Sequence, residues 1–254
     1  MFTPIDFNTW PRREMFYYFS KMAPTGYSLT ISMDVTKLRE TAKAAGMKFF
    51  PAYLWLVTRC LNEQPEFKCA VKDGQLGYYD TLTPLYATMH PQTHTISLMW
   101  TEYCESFPEF YRRYLENQAR YGAHHGVLSQ PVVPPENAYT VSCIPWVNFT
   151  HFAVHSYENK DYFFPSVEAG KMVEADGKWA MPLSLTCHHA ATDGWHVHRF
   201  LERLQGEMDG FAGCIDKLEF FEQKPSPSGN VINLSIIKFS SNSADICWIC
   251  AFSP

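Results

Sequence analysis

Four histidines fall within residues 188–198, in the stretch Leu185-Thr-Cys-His-His-Ala-Ala-Thr-Asp-Gly-Trp-His-Val-His-Arg199. Imidazole has the side-chain pKa closest to neutrality. It can take a proton from a hydroxyl nucleophile and hand it on to a leaving group. Three readings fit the stretch. His189 can be a general base; the four rings can be a metal cluster; or a histidine can simply pack beside a helix cap. Zinc favours His at i, i+4 on a helix or short Cys/His spacings. His196 and His198 are two apart and point to different helix faces, so one ion does not easily take both.

The elements around this stretch decide where it sits. A β-type run ends at His188-His189, and Asp193-Gly194 opens a helical pattern from Trp195 to about Met208. Asp193 suits an N-cap that accepts N–H bonds from the first turn. His189 is thereby predicted at a strand end, on a turn held by a rigid scaffold. Upstream, a helix is predicted over Pro11–Lys21, a strand over Tyr27–Met33, and a helix capped by Asp34 or Thr36 that runs to Ala45 and stops at Gly46. Pro51–Asn62 reads as a buried helix. Short strands follow near Leu76–Tyr79, Leu85–Met89 and Thr95–Trp100. Ser106-Phe-Pro-Glu109 has capping-box spacing and opens a helix to Tyr121, ended by Gly122. After a Pro/Gly/His-rich loop over 123–138, strands are predicted at Tyr139–Ile144, Phe152–His155 and Met181–Cys187. Strands mixed with helices, without regular βαβ alternation, predict an α+β fold. It would be a two-layer sandwich, a mixed sheet with helices mainly on one face.

Composition narrows the classes. The chain has 254 residues, 46% hydrophobic and 19% charged, which suits a globular core and excludes wholesale disorder or a long coiled coil. Aromatic residues make up 16%, enough to suggest an aromatic core, a ligand pocket or both. A net charge of −5 gives no electrostatic reason to expect nucleic acid or anionic lipid. No apolar run approaches the roughly 18 residues of a membrane span. The start lacks the pattern of a secretory signal, so the eight cysteines are expected as reduced thiols in a cytoplasmic protein. Residues 1–222 are read as one domain and 223–254 as an atypical, appended tail with a linker-like Pro-Ser-Pro-Ser-Gly-Asn at 225–230. Within the tail, Cys247-Trp-Ile-Cys250 has redox-type spacing but no βαβ context.

Several segments, in order, carry a resemblance to a known family: Trp10-Pro-Arg-Arg-Glu14, Phe49-Phe-Pro51, Pro134-Pro-Glu-Asn137, Ser142-Cys-Ile-Pro-Trp-Val-Asn-Phe149, Asp161-Tyr-Phe163 and the His188-His189…Asp193-Gly194 block. Over about residues 5–208 the chain resembles the chloramphenicol acetyltransferases, of the CoA-dependent acyltransferase superfamily marked by HHxxxDG. The resemblance implies the two-layer fold, a homotrimer with active sites at subunit interfaces, and transfer of acetyl from acetyl-CoA to a hydroxyl of chloramphenicol. It implies His189 as base and Ser142 as donor to the tetrahedral oxyanion, with no acyl-enzyme and no metal. It implies a structural ion pair between Asp193 and Arg12. It places Phe19, Tyr27, Thr93 and Phe152 near the acceptor, and Trp146 beside the tunnel for CoA. Glu168 stands where the family often has a Thr that helps orient the oxyanion, and an ionised carboxylate facing the site would repel negative charge. Thr140, Thr192 and Pro91-Gln-Thr-His-Thr-Ile96 also depart from the family pattern. These departures leave open another small alcohol as acceptor, or a non-catalytic binder of hydrophobic ligands.

Overall fold

The computed structural model describes residues 1–155 and 161–215. The tail at 223–254, with its Cys247 and Cys250, lies outside the described residues.

The N-terminal segment holds strand β1 (Phe2–Pro4), helix α1 (Arg13–Tyr17) and a π-helical turn at Tyr18–Met22. The single helix predicted over Pro11–Lys21 is thus replaced by a short α-turn and a wider one. The Ser20 hydroxyl donates to the Phe16 carbonyl at 2.6 Å. A side chain bonding back into its own ladder loosens the helix there, where a π-turn can form.

Strand β2 (Gly26–Asp34) leads into α2 (Thr36–Ala44). The N-cap of α2 is Val35, without a side-chain cap bond, and not the predicted Asp34 or Thr36; Asp34 stands one residue earlier, and its carboxylate still accepts the Thr36 N–H at 2.9 Å. Gly46 follows with φ +65°, the left-handed conformation that closes a helix most easily without a Cβ. Helix α3 (Phe49–Asn62) is the core of the fold, buried from Phe50 to Leu61 except at Arg59. A 3-10 turn (Pro65–Lys68) and the hairpin β3 (Cys69–Lys72) and β4 (Gln75–Tyr79) come next. The hairpin pairs with β1 in a small sheet.

The main sheet is built from β5 (Thr83–His90), β6 (Thr95–Trp100), β7 (Ala138–Ile144), β8 (Ser166–Gly170), the short β9 (Val173–Ala175) and β10 (Lys178–His188). Helix α4 (Phe107–Tyr121) lies between β6 and β7, and α5 (Gly194–Asp209) and α6 (Ala212–Ile215) follow β10. The strand order is β2-β10-β8-β7-β5-β6, with β9 pairing β10. β5, β7 and β8 run parallel and the other pairings are antiparallel. The architecture is the expected α+β sandwich with a mixed sheet.

Further local expectations differ from the structure. Phe152–His155 is not a strand. β10, beside which it lies, is already paired on both sides, by β2 and β8, and cannot take it as a further strand. It crosses the face of the sheet instead, and the Phe152 carbonyl accepts the Ser184 hydroxyl. Strand β8 was not expected, because Ser166-Val-Glu-Ala-Gly170 carries a carboxyl and a glycine; burial on both faces overrides that composition. Ser106 is the N-cap of α4, but its side chain makes no cap bond. Glu109, the expected partner in the box, is held by Arg112 and Arg113 at 2.8–2.9 Å.

The two faces of the sheet differ in kind. Tyr139, Val141, Val167, Ala169, Leu183 and Leu185 turn toward the helices and are buried. The Tyr139 hydroxyl meets Thr58 of α3 at 2.7 Å. The alternate residues form a polar face. Ser142, Glu168, Ser184 and Thr30 stand opposite one another across four strands. Thr140, Ser166, Thr186 and Ser28 form the parallel row beside them.

Candidate functional site

His189 sits one residue past β10. Its N–H donates to the Thr25 carbonyl at 2.8 Å and so continues the β2–β10 ladder. The ring is stacked on Phe19, with centroids 4.0 Å apart and planes 19° from parallel. Tyr27 meets it edge-on at 5.2 Å. His189 Nδ1 lies 3.0 Å from the Thr192 carbonyl oxygen. A carbonyl only accepts, so Nδ1 carries the proton and Nε2 holds the lone pair. An imidazole fixed this way can take a proton at Nε2.

Two aromatic side chains named from the sequence, Phe19 and Tyr27, are thus walls of the His189 ring. Burial pushes the Tyr27 phenol well above its ordinary value, and it donates to Thr192 Oγ1 at 3.2 Å. Neighbouring groups are inert. Burial holds His188 below its ordinary pKa, with the adjacent His189 acting in the same sense, and its Nδ1 accepts the Ala190 N–H at 3.1 Å. Burial also pushes the Cys187 thiol up to about 12, which removes it as a nucleophile at neutral pH.

Below the turn, Asp193 caps α5 by accepting the Trp195 N–H at 3.1 Å. His196 completes a reciprocal cap by accepting the Asp193 N–H at 3.1 Å. His196 is therefore engaged in capping, while His198 is exposed on another face. Among the described residues, no group of three or more His, Cys, Asp and Glu is arranged to hold a metal ion.

The expected pair of Arg12 and Asp193 is present, with Nη1 and Oδ2 2.7 Å apart. It is only half-buried, at 18% and 37% side-chain exposure, so the loss of one partner is smaller than for a fully buried pair. Partial burial acts to raise the Asp193 pKa. The Arg12 hydrogen bond, the nearby His196 and the Trp195 N–H outweigh it and hold the carboxyl below its ordinary value. A carboxyl with a lowered folded pKa stabilises the fold above its unfolded value and loses that contribution as pH falls through the folded one. Arg12→Ala is therefore expected to lose about 1–2 kcal/mol at pH 7, after allowance for solvent screening. At pH 3 it should lose much less. Urea unfolding at the two pH values and one protein concentration checks this, and an equal loss at both would remove the ion pair as its cause.

Ser142 lies elsewhere in the chain. It is half-buried on β7, opposite Glu168 of β8, which stands opposite Ser184 of β10. His189 is two strands away and five residues further along β10 than Ser184, a separation on the order of 15–20 Å. Thr93 is also remote from His189. It is exposed in the β5–β6 turn, with its hydroxyl 2.8 Å from that of Thr95. Trp146 follows β7 and is 51% exposed. The ring of Phe152 packs on Phe149 at 5.5 Å above the polar face. The residues named from the sequence thus fall into two groups. His189, Phe19, Tyr27 and the Arg12–Asp193 pair lie at one end of the sheet; Ser142, Trp146 and Thr93 lie toward the other.

Sequence reasoning missed the fixing of the ring by the Thr192 carbonyl, and it missed the hydroxyl rows of the sheet. The rows have a signal: polar pairs two apart recur at Ser28/Thr30, Thr140/Ser142, Ser166/Glu168 and Ser184/Thr186. Without β8, nothing aligned them.

Residues 1–205 match the family described as "Chloramphenicol acetyltransferase". A chloramphenicol acetyltransferase of Campylobacter coli is 38% identical over 205 residues, covering 80% of this chain and 97% of that protein. One of Clostridioides difficile is 37% identical, covering 81% and 95%, and one of Escherichia coli 36%, covering 84% and 96%. A solved chloramphenicol acetyltransferase superposes with a TM-score of 0.73 at 26% identity, over 82% of this chain and 100% of that one. The cubic core of a pyruvate dehydrogenase complex shares the fold more distantly, with a TM-score of 0.54 at 19% identity over 84% of this chain and 98% of that one.

Proposed function

This chain belongs to the chloramphenicol acetyltransferase family and is an acyltransferase, and on that footing we propose that it transfers the acetyl group of acetyl-CoA to a hydroxyl of chloramphenicol. The observation that carries the mechanism is the fixed tautomer of His189, with Nδ1 on the Thr192 carbonyl and Nε2 available as a base. Nε2 removes the proton of the acceptor hydroxyl as its oxygen attacks the thioester carbonyl. The Ser142 hydroxyl donates to the oxyanion that develops there. The intermediate collapses with loss of the CoA sulfur, which takes the proton back from His189. The inert Cys187 fits a direct transfer with no acyl-enzyme.

The separation of His189 from Ser142 along the sheet supports a site shared between copies. His189 of one protomer meets Ser142 of the next, in the homotrimer the family resemblance implies. The aromatic rings at Phe19, Tyr27 and Phe152, with Thr93, would border the acceptor, and the half-exposed Trp146 would pack beside CoA. The test is release of free thiol from acetyl-CoA on addition of chloramphenicol, followed with a chromogenic disulfide. Release that depends on both components is expected. Chloramphenicol bound without thiol release would instead make the protein a binder, and fast release with a different alcohol would move the substrate assignment.

A further inference from the structure

One peptide group ties two imidazoles together. The unit between Thr192 and Asp193 offers its carbonyl to His189 Nδ1 at 3.0 Å and its N–H to His196 Nδ1 at 3.1 Å. A peptide group is planar, so fixing one end of it fixes the other. His196 thus grips from behind the plane that orients the base. The grip requires a bare Nδ1 on His196, and the ring proton then lies on Nε2.

The neighbours of His196 favour that tautomer. Nδ1 also lies 2.9 Å from Asp193 Oδ1. A proton on Nδ1 would bond that oxygen and leave the Asp193 N–H with no acceptor among the described residues. The Asp193 carboxylate needs no such donor: Oδ1 has the Trp195 N–H and Oδ2 has Arg12. On the other side of the ring, Glu66 Oε1 faces Nε2 at 3.7 Å. That is longer than a direct hydrogen bond, yet a carboxylate there draws the proton to the nitrogen it faces. The side chains of His196 and Glu66 are only 12% and 23% exposed, so solvent screens the attraction little. The His196 ring, with Arg12 acting in the same sense, holds the Glu66 carboxyl below its ordinary value against the effect of burial, and Glu66 is ionised at neutral pH.

Glu66 stands on the 3-10 turn that follows α3, far from the base in sequence. That turn is docked on α5. Gln64, just before it, donates from Nε2 to the His196 carbonyl at 3.2 Å, and the Phe67 ring meets Phe200 edge-on at 5.8 Å. We infer that Glu66 is a positioning residue for the base: by keeping the His196 proton on Nε2, it frees Nδ1 to hold the peptide whose carbonyl sets the direction and tautomer of His189. This rests on the acetyl-transfer reading above.

Three measurements on the full chain test it. The nitrogen-15 resonances of labelled histidine, assigned with His196→Asn and His189→Asn, report which ring nitrogen carries the proton. In the wild type His196 should be bare at Nδ1 and His189 at Nε2. Glu66→Gln presents an amide that can donate to Nε2. The His196 proton should then move to Nδ1, where Asp193 Oδ1 accepts it, and His189 should lose part of its preference for Nδ1–H. In the thiol-release assay Glu66→Gln should lower kcat about tenfold, with KM for acetyl-CoA and chloramphenicol within about twofold of the wild type. The third measurement is a cycle of two changes. His196→Asn has a side-chain oxygen that can accept the Asp193 N–H without help from a carboxylate. Whatever its own rate, adding Glu66→Gln to it should cost nothing further. A wild-type His196 protonated on Nδ1 overturns the proposal whatever the activity. So does a Glu66→Gln change that leaves both rings as they were, raises KM alone, or costs as much in His196→Asn as in the wild type. Nitrogen shifts that behave as expected in a chain that releases no thiol place the failure in the acetyl-transfer reading, and the proposal falls with it.

Discussion

His189→Ala is expected to lower kcat for acetyl transfer by about 10²–10⁴-fold, the usual contribution of a positioned base. The geometry makes the loss specific. The ring is held by a stack on Phe19, an edge contact from Tyr27 and the bond to the Thr192 carbonyl, so its Nε2 has a fixed direction. Alanine removes the base but also the stack, and a fall in stability could be confused with a fall in chemistry. His189→Asn separates the two. Its side-chain amide can keep an N–H on the Thr192 carbonyl, yet it has no basic nitrogen. His189→Asn is expected to retain affinity for CoA and more of the wild-type melting temperature than His189→Ala. If His189→Asn kept more than about a tenth of wild-type kcat, the proton would have another acceptor.

Mixing two crippled variants is expected to restore activity. Ser142→Ala alone should lose roughly 100-fold, the effect of removing one oxyanion donor, and His189→Ala alone is nearly dead. Suppose each site takes its base from one protomer and its donor from the next. An equal mixture, unfolded and reassembled together, then rebuilds intact sites wherever a Ser142→Ala chain lends its histidine to a His189→Ala chain. Random assembly around a closed ring makes about a quarter of the sites whole. Activity should rise far above the sum of the two variants assembled apart. A mixture that reassembles, by sedimentation, but stays at that sum would place the whole site within one chain.

The parts legible in the sequence were those with local causes. The cap at Asp193, the turn at Gly46 and the buried helix α3 follow from residue type and period, and each is present. Arg12 and Asp193 are 181 residues apart, and no local pattern joins them; only the family resemblance did. The parts that stayed hidden are set by what lies alongside. β8 is a strand because β7 and β10 flank it, not because Ser-Val-Glu-Ala-Gly favours extension. Phe152–His155 has strand-like alternation but finds both edges of β10 taken. The degree of burial of the ion pair likewise depends on the packing of the first segment, which spacing does not report.

Gly170 draws a boundary between what this pocket can vary and what it cannot. A Cβ there would come within 2.6–2.8 Å of Pro182, Phe149 and the Val147 carbonyl. Even alanine would therefore have to lift the covering segment from the strand. Two residues away, position 168 can exchange a carboxyl for a hydroxyl or an amide without touching that seam. Adaptation to a new acceptor can thus proceed by retuning the lining one side chain at a time, while the vault above it keeps its height.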